Sequence, residues 1–415
     1  MGNLKWLAAA LVAIAITPAV AGGDESQDSR QQSLVLHFRS YYFDREKPVP
    51  PDSKASVWGG WIGYDSGWVY DRFKLALTGY TSQKIDAPLS QDGTLLLKPG
   101  QQSYSVLGEA YGSVKLWDTH QFTAGRQLVV QPEVNPQDNR QTPNTFEAYE
   151  FTGKVGGLEY YAGYVPKMKT RNSDKFLDMA SVAGAPAGVS SDMWLGTLSY
   201  VPVKDLTLRF STYHVDDILN SSYLDADWAM PLSDIWKLRL TGQYMAQGAT
   251  GANRLTGSDF STWSGGLRAG FTNGPALLRV AYTQTGKGAN YRSPYGTWAG
   301  FTSLVVSDFN RAGEQAVMLE GSYDFKNLGV PGFAAAGYAV FGSKAVDPLT
   351  GARASDKDEY NVTLDYRFNG PSYPGWLKPL WLRGRVTRVD ESFNSSTTHT
   401  WDYRFIVNYE YVLKF

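Results

Sequence analysis

The last fifteen residues alternate between apolar and polar side chains with a period of two. This period places the two kinds of side chain on opposite faces of a β-strand, whereas the 3.6-residue period of a helix would mix them. A strand that is apolar on one face and polar on the other is typical of a barrel wall between lipid and a watery lumen. The apolar positions are Trp401, Tyr403, Phe405, Val407, Tyr409, Tyr411, Leu413 and Phe415, and the polar ones are mainly Asp402, Arg404, Asn408, Glu410 and Lys414.

The same alternation recurs through most of the chain, for example over residues 236–244 and 360–368. Each run has about the 9–11 residues that a tilted strand needs to cross a bilayer. The pattern predicts an all-β fold, a single transmembrane antiparallel β-barrel of about eighteen strands. The predicted strands are 33–43, 54–64, 69–81, 104–117, 119–127, 147–154, 158–166, 193–202, 205–214, 220–229, 235–246, 261–271, 275–285, 314–326, 332–342, 357–368, 379–390 and 400–415.

Short and long connections alternate between these strands, as expected for short periplasmic turns and long extracellular loops. The short ones are tight Gly or polar turns such as Asp65-Ser66-Gly67 and Thr272-Asn273-Gly274. The long ones are 82–103, 128–146, 167–192, 247–260, 286–313 and 343–356. The Gly/Pro-rich segment 369–378 is longer than a periplasmic turn usually is.

Residues 1–21 have the form of a secretory signal peptide, with Lys5, an apolar stretch and Ala19-Val20-Ala21. We therefore predict a signal peptide at 1–21, a flexible leader at 22–32 and one barrel domain at 33–415. The net charge of −1 indicates no nucleic-acid partner, and the absence of cysteine excludes disulfide and thiolate chemistry. Bulk composition by itself also allows a soluble exported β-protein.

Enzymatic and metal sites are not indicated. The chain has four histidines, and only His214-Val215-Asp216-Asp217 resembles an Asp–His pair, which we interpret as a solvated loop entrance. Acidic residues in the loop 347–358 allow a surface cation site, although a solvated loop is the simpler interpretation. No HExxH or EF-hand motif occurs. We predict no enzyme, no cofactor and no metal.

Basic residues concentrate on the predicted inner face. Low-dielectric walls would focus the field of such charges into the lumen, and guanidinium groups bind carboxylates with two hydrogen bonds. Any single inward arginine could instead only brace the wall through ion pairs. Acidic residues of the same parity, Asp225, Asp227, Glu320 and Asp324, lie on strands between two arginine groups. The predicted pore-lining arginines are Arg39, Arg209, Arg239, Arg268, Arg279, Arg367, Arg383, Arg385 and Arg404.

Three regions resemble the OprD-type family of substrate-specific outer-membrane porins: Phe38 to Arg45; Gly125 to Gln127 with Asp138 to Phe146; and Asp308 to Glu314 with Tyr323 to Phe325. The resemblance implies an eighteen-stranded, usually monomeric barrel whose third and seventh loops narrow the pore; a trimer stays open. It implies constriction residues Arg126, Asp138 and Arg140 at loop three, and Ser303, Asp308 and Arg311 at loop seven. Long segments at 82–103 and 369–379 depart from the family pattern.

The chain is thus expected to be an integral outer-membrane porin, in contact with lipid, for passive uptake of small carboxylate-bearing solutes such as amino acids, peptides and aromatic or organic acids. The alternative is a surface-binding or enzymatic barrel with a closed lumen. A hydrocarbon transporter is a further rival, but the thirty-odd residues before the first strand leave no room for an N-terminal plug.

Overall fold

The computed structural model describes residues 31–415 of the chain. The predicted signal peptide and most of the predicted leader lie outside the described residues. Nineteen strands form one antiparallel sheet. Because β8 has two residues and pairs only with β7, the other eighteen strands make up the wall. The strands are β1 Ser33–Glu46, β2 Ser53–Asp65, β3 Phe73–Asp86, β4 Tyr104–Trp117, β5 His120–Gln127, β6 Thr145–Val155, β7 Leu158–Lys169, β8 Leu177–Asp178, β9 Met193–Val203, β10 Leu206–Val215, β11 Leu219–Pro231, β12 Trp236–Gly248, β13 Ser261–Asn273, β14 Ala276–Thr285, β15 Gln315–Asp324, β16 Phe333–Ser343, β17 Asp356–Arg367, β18 Leu380–Phe393 and β19 Ser396–Lys414.

The first and last wall strands pair with each other and close the sheet into a barrel. β1 pairs with β19 from Ser33 opposite Lys414 to Glu46 opposite Trp401, along its whole length of 14 residues. Closure removes the free sheet edges, so each of the eighteen wall strands has two hydrogen-bonded neighbours. The predicted fold class is therefore confirmed.

Helices are short in this fold. In the described part of the chain, one α-helix, α1 Met179–Ala183, follows β8, and 3-10 helices occupy Leu89–Gln91, Phe325–Leu328 and Gly375–Leu377. Within residues 31–415, none of the helices has the length and hydrophobicity that crossing a membrane requires.

The predicted strands agree closely with the observed ones, and three boundaries differ by four residues or more: both ends of β3, which extends to Asp86 instead of 81, and the start of β19. β3 begins at Phe73 instead of 69, because Tyr70 and Asp71 adopt left-handed backbone angles (φ 52° and 54°) that belong to a turn. β19 begins at Ser396 instead of 400, because the loop-end turn that precedes it is only two residues long. The alternating apolar pattern does not reveal the turn before β3 or the short turn before β19, since a turn can also contain apolar residues.

The first residues of β1 and the last residues of β19 lie at one end of the barrel, the turn end, whose connections are mostly short. The longest of them is 368–379, as the Gly/Pro-rich sequence predicts. We number the connections at the opposite loop end in chain order: L1 47–52, L2 87–103, L3 128–144, L4 170–192, L5 216–218, L6 249–260, L7 286–314, L8 344–355 and L9 394–395.

Four long loops fold into the lumen and pack on the inner wall. Leu96 and Leu97 of L2 are buried against inner-face residues of β1 and β2. L3, L4 and L7 share a second apolar cluster with β10 and β11 that includes Val134, Met179 and Tyr295. Apolar burial of this kind stabilises inward-folded loops, because water is expelled from both surfaces. The loops therefore narrow the channel at the loop end.

Gly60 allows β2 to approach β1 closely, and its neighbour Gly59 allows the same toward Thr81 of β3. A Cβ added at Gly60 would lie 1.9 Å from the carbonyl oxygen of His37, and its φ of +127° is unfavourable for other residues. At Gly321 in β15, by contrast, no heavy atom lies within 4 Å of an added Cβ.

We expect Gly60→Ala to lower the free energy of unfolding by about 2 kcal/mol or more, because overpacking displaces β1 from β2. The measurement is urea unfolding of the barrel in detergent micelles, followed by tryptophan fluorescence. Gly321→Ala is the matched control and should be nearly neutral. Equal unfolding midpoints for the two variants would contradict the role assigned to Gly60.

Candidate functional site

The lumen carries the nine predicted pore-lining arginines on one continuous inner face. On each strand involved, the arginine occupies an inward position and the residues before and after it face outward. One group extends over β17, β18, β19 and β1, and comprises Arg367, Arg383, Arg385, Arg404 and Arg39. The other extends over β10, β12, β13 and β14, and comprises Arg209, Arg239, Arg268 and Arg279.

Most of these arginines have an acidic partner. The nitrogen–oxygen distances are 2.6 Å for Arg39–Asp138, 2.8 Å for Arg383–Asp365, 2.6 Å for Arg404–Asp402, 2.7 Å for Arg239–Asp227 and 3.9 Å for Arg209–Asp225, and Arg279 pairs with Glu320. The acidic residues that the sequence places between the two arginine groups thus take up part of the positive charge.

Three inner-face arginines lack a carboxylate partner in the described part of the chain. Arg385 donates from Nε to the hydroxyl of Thr363 at 3.0 Å and lies directly across the strand pair from Arg404. Arg268 lies over the ring of Phe301 in L7, and Arg367 lies over the ring of Trp381. These three guanidinium groups are therefore not neutralised by an ion pair within residues 31–415.

L3 adds a buried cation to this set. Arg140 is almost fully buried, and its Nε donates to the carbonyl oxygen of Thr94 in L2 at 2.8 Å. Its Nη1 donates to the carbonyl oxygen of Asn139 at 2.9 Å. Burial, together with the nearby cations Arg404 and Arg171, lowers the pKa of Arg140 well below its usual value. Carbonyl oxygens solvate the guanidinium here without neutralising its charge.

L4 contributes Arg171, which sequence reasoning missed. Its Nη1 donates to the side chain of Asn139 in L3. Burial, followed by the proximity of Arg404, lowers its pKa to about 10. The charged run 170–175 is the only signal in the sequence, and nothing in it shows that L4 folds back to the third loop.

L7 supplies the acidic side of the constriction. Ser303 donates a hydrogen bond of 2.8 Å to Asp308. Burial raises the pKa of Asp308, whereas Ser303 and the nearby Arg171 act in the opposite direction. An acidic residue on L7 therefore lies within electrostatic reach of an arginine on L4.

The tip of L7 is fixed to the wall by two opposite charges. The carboxylate of Glu359 in β17 accepts hydrogen bonds from the backbone N–H groups of Val305, Val306 and Ser307 at 2.8, 3.0 and 2.7 Å. The guanidinium of Arg404 donates to the carbonyl oxygen of Val305 at 3.2 Å. Three successive N–H groups that converge on one carboxylate form an anion-binding nest, which here is filled by the protein itself.

A family model described as outer membrane porin, OprD family, matches residues 29–413. The chain belongs to this family. As an OprD-family porin it is a channel and an integral protein of the bacterial outer membrane. No curated protein matches the sequence.

Solved OprD-family structures share the fold at low sequence identity. OccK9 (OpdG) of Pseudomonas aeruginosa superposes with a TM-score of 0.82 at 21% identity, covering 93% of this chain and 100% of that one. OccAB3 of Acinetobacter baumannii gives a TM-score of 0.81 at 18% identity, covering 92% and 99%. OpdK of P. aeruginosa, solved with vanillate, gives 0.79 at 18% identity, also covering 92% and 99%. These relatives are channels rather than enzymes.

Two residues that the family resemblance placed in the constriction of this OprD-family porin lie elsewhere. Arg126 is on the outer side of β5, opposite to the inward Thr123 and Gln127, because the inner face of β5 has odd numbers. Its guanidinium lies over Phe176 and donates to a carbonyl oxygen of β4. This position corrects the expectation that Arg126 lines the constriction.

Arg311 connects L7 to L8. Its guanidinium pairs with Glu314 and donates to the carbonyl oxygen of Ser355 at 2.9 Å. Through these bonds Arg311 holds the base of L7 to L8. This position differs from the constriction role expected for Arg311. Asp138, Arg140, Ser303 and Asp308 remain candidates, since their side chains contact the inward loops or the basic wall.

A buried carboxylate joins L3, the wall and L7. Glu133 of L3 accepts hydrogen bonds from Ser221 of β11 at 2.9 Å and from Tyr291 of L7 at 2.7 Å. Tyr213 and Tyr223 also face it, and no basic side chain neutralises it among residues 31–415. Burial raises the pKa of Glu133 to about 7, more than these hydrogen bonds lower it.

We expect the attachment of L3 to L7 to weaken with rising pH. A detached, solvated Glu133 would titrate near 4.5, so the attachment loses about 3 kcal/mol between pH 4.5 and 7 and stays constant above. Single-channel currents in planar bilayers should therefore fluctuate more at pH 8 than at pH 5. Glu133→Gln should abolish this difference, whereas Asp259→Asn, at an exposed carboxylate in L6, should preserve it. A Glu133→Gln channel that kept the full pH difference would exclude Glu133 as its source.

We expect Glu359→Gln to release the tip of L7, because an amide offers one acceptor oxygen where the carboxylate offers two. The loss should be about 2 kcal/mol, typical of hydrogen bonds to a charged group. Limited proteolysis within 286–314 should become faster in the variant. Asp358→Asn, one residue away and on the outer face of β17, is the control. Equal cleavage rates in both variants would argue against the anchoring role.

Proposed function

We propose that this OprD-family porin admits small carboxylate-bearing solutes by passive diffusion through an arginine-lined pore narrowed by L3 and L7. The observation that carries the proposal is the gathering of Arg140, Arg171, Arg385 and Arg404 around the inward loops. Asp402 is the ion-pair partner of Arg404, and it is shared with Arg45. The cluster therefore has more cations than anions.

Such a cluster favours anions for two physical reasons. A low-dielectric wall focuses the positive field into the lumen and raises the local concentration of negatively charged solutes. A planar guanidinium also matches the two oxygens of a carboxylate, and Arg385 of β18, which pairs with no carboxylate of residues 31–415, has donors left for such a contact.

The acidic Asp308 supports solutes that also carry an amine. It lies within the electrostatic reach of Arg171, so a positive and a negative group face the same passage. Amino acids and short peptides carry both charges, and aromatic or organic acids would use the arginines alone. Vanillate, the ligand of the OpdK structure, is an aromatic carboxylate of this second kind.

Each barrel holds its own arginine groups and its own inward loops, so a single chain suffices to form the proposed pore, and we propose a monomer. The competing hypothesis is a barrel with a closed lumen and a surface-binding or enzymatic role. Family membership favours the channel. Purified protein without ion conductance or liposome swelling would favour the competitor.

We expect Arg385→Gln to slow carboxylate entry into proteoliposomes roughly fivefold, which corresponds to about 1 kcal/mol. Arg385 is chosen because no carboxylate of residues 31–415 pairs with it, so its replacement leaves no acidic group there without its partner. Liposome swelling in glutamate and benzoate should fall, whereas swelling in a neutral sugar of similar size should not.

The matched control is Arg388→Gln in the same strand. Arg388 lies on the outer face and bonds to Asp390 at 2.6 Å. Equal swelling rates for Arg385→Gln and Arg388→Gln would contradict the pore-lining role. An equal fall for the neutral sugar would indicate an altered pore width instead of lost recognition.

A further inference from the structure

One aromatic ring lies at the centre of the basic cluster. Phe43 in β1 is fully buried, and the guanidinium carbons of Arg404, Arg45 and Arg140 lie 4.8, 5.3 and 5.3 Å from its centroid. Asp402 is the carboxylate bound to this trio, and it pairs with Arg404 and Arg45. Two of the three positive charges are therefore not cancelled by an ion pair within the trio.

Three like charges around one ring repel each other, so another attraction must hold them in place. An aromatic ring is negative on its faces, and a cation within about 6 Å of the centroid is attracted to it. This attraction is stronger when water is excluded.

L2 excludes water from the ring. Leu96 and Leu97 pack with Phe43 in one buried cluster that also contains Tyr41 and Val57. The loop is held there by Ser82, which donates to the carbonyl oxygen of Leu96 at 2.7 Å. Lys98 extends the attachment to L4 through an ion pair of 2.7 Å with Asp174.

The three inward loops also solvate the trio with backbone carbonyl oxygens. Thr94 of L2 and Asn139 of L3 accept from Arg140, and Val305 of L7 accepts from Arg404. Carbonyl dipoles stabilise a guanidinium while leaving its net charge in place. An acidic partner at the same positions would have cancelled the field in the lumen.

We infer that Phe43, covered by L2, is a positioning residue for anion selectivity: it holds Arg140, which no ion pair neutralises among residues 31–415, against Arg404 and Arg45 of the wall. The inference rests on the proposed function, since it explains how that selectivity is maintained. It also assigns a role to the long segment 82–103, which departs from the family pattern.

The test compares Phe43→Leu with Phe43→Tyr. Leucine keeps an apolar side chain under L2 and removes the ring, whereas tyrosine keeps the ring. Reversal potentials under a gradient of sodium glutamate, measured on single channels of the full barrel, give the permeability ratio of anion to cation. We expect this ratio to fall roughly fivefold in Phe43→Leu and to stay near the wild-type value in Phe43→Tyr.

Two further variants serve as a control for lost buried packing and as an alternative to Phe43→Leu. Phe146→Leu removes another fully buried inner-face ring, near the end of L3, whose ring has no cation contact among the described residues, and should leave the ratio unchanged. Leu97→Ala admits water to Phe43 without altering the wall and should lower the ratio in the same direction, which provides a result even if Phe43→Leu fails to fold.

The outcomes separate the two proposals. A wild-type channel without anion preference would overturn the proposed function. A wild-type channel with anion preference, together with unchanged ratios in both Phe43→Leu and Leu97→Ala, would overturn the role of Phe43. A fall in Phe146→Leu equal to that in Phe43→Leu would also overturn it, because any loss of buried packing would then suffice.

Discussion

The pairing of the first strand with the last is the constraint on which the rest of the structure depends. Its register sets Phe43 opposite Arg404 and Arg45 opposite Asp402, over a separation of more than 350 residues. A slip of one residue would turn every one of these side chains to the outer face. The same pairing therefore closes the wall against lipid and assembles the basic cluster.

The loops are attached to this wall mainly through groups that are charged or dipolar and buried. Glu359 fills a backbone nest in L7, Glu133 connects L3 to β11 and L7, and backbone carbonyls of L2, L3 and L7 face arginines. A buried polar group without a hydrogen-bond partner costs free energy, so each of these bonds favours one position of its loop over others. Because the carbonyls carry no net charge, these contacts hold the loops against the arginines without neutralising them.

Much of this fold could be predicted from the sequence, because lipid imposes a two-residue period that local residues display directly. The strands, the alternation of connection lengths and the inward parity of the arginines follow from that period. Arg126 shows its limit: the residue lies one position from inward Gln127, in a segment whose resemblance to the family suggested a site. The two-residue period of a strand decides which face a residue occupies, and it places Arg126 on the outer face whatever the family resemblance suggests.

The contacts of the constriction could not be predicted in this way, because they join loops whose side chains follow no period. Arg171, Glu133 and Phe43 acquire their surroundings only when L2, L3, L4 and L7 fold inward. A charged loop residue in the sequence is equally compatible with solvent. The buried positions of these loops depend on partners that are distant along the chain.

The position of Arg404 has a consequence for the order of assembly. The carbonyl of Val305 docks on a residue of β19, and Asp138 docks on Arg39, which is itself held by Asn408 of β19. Neither loop has its complete docking surface until the last strand is in place. Closure of the wall by β1 and β19 is thus a precondition for the complete docking of L3 and L7.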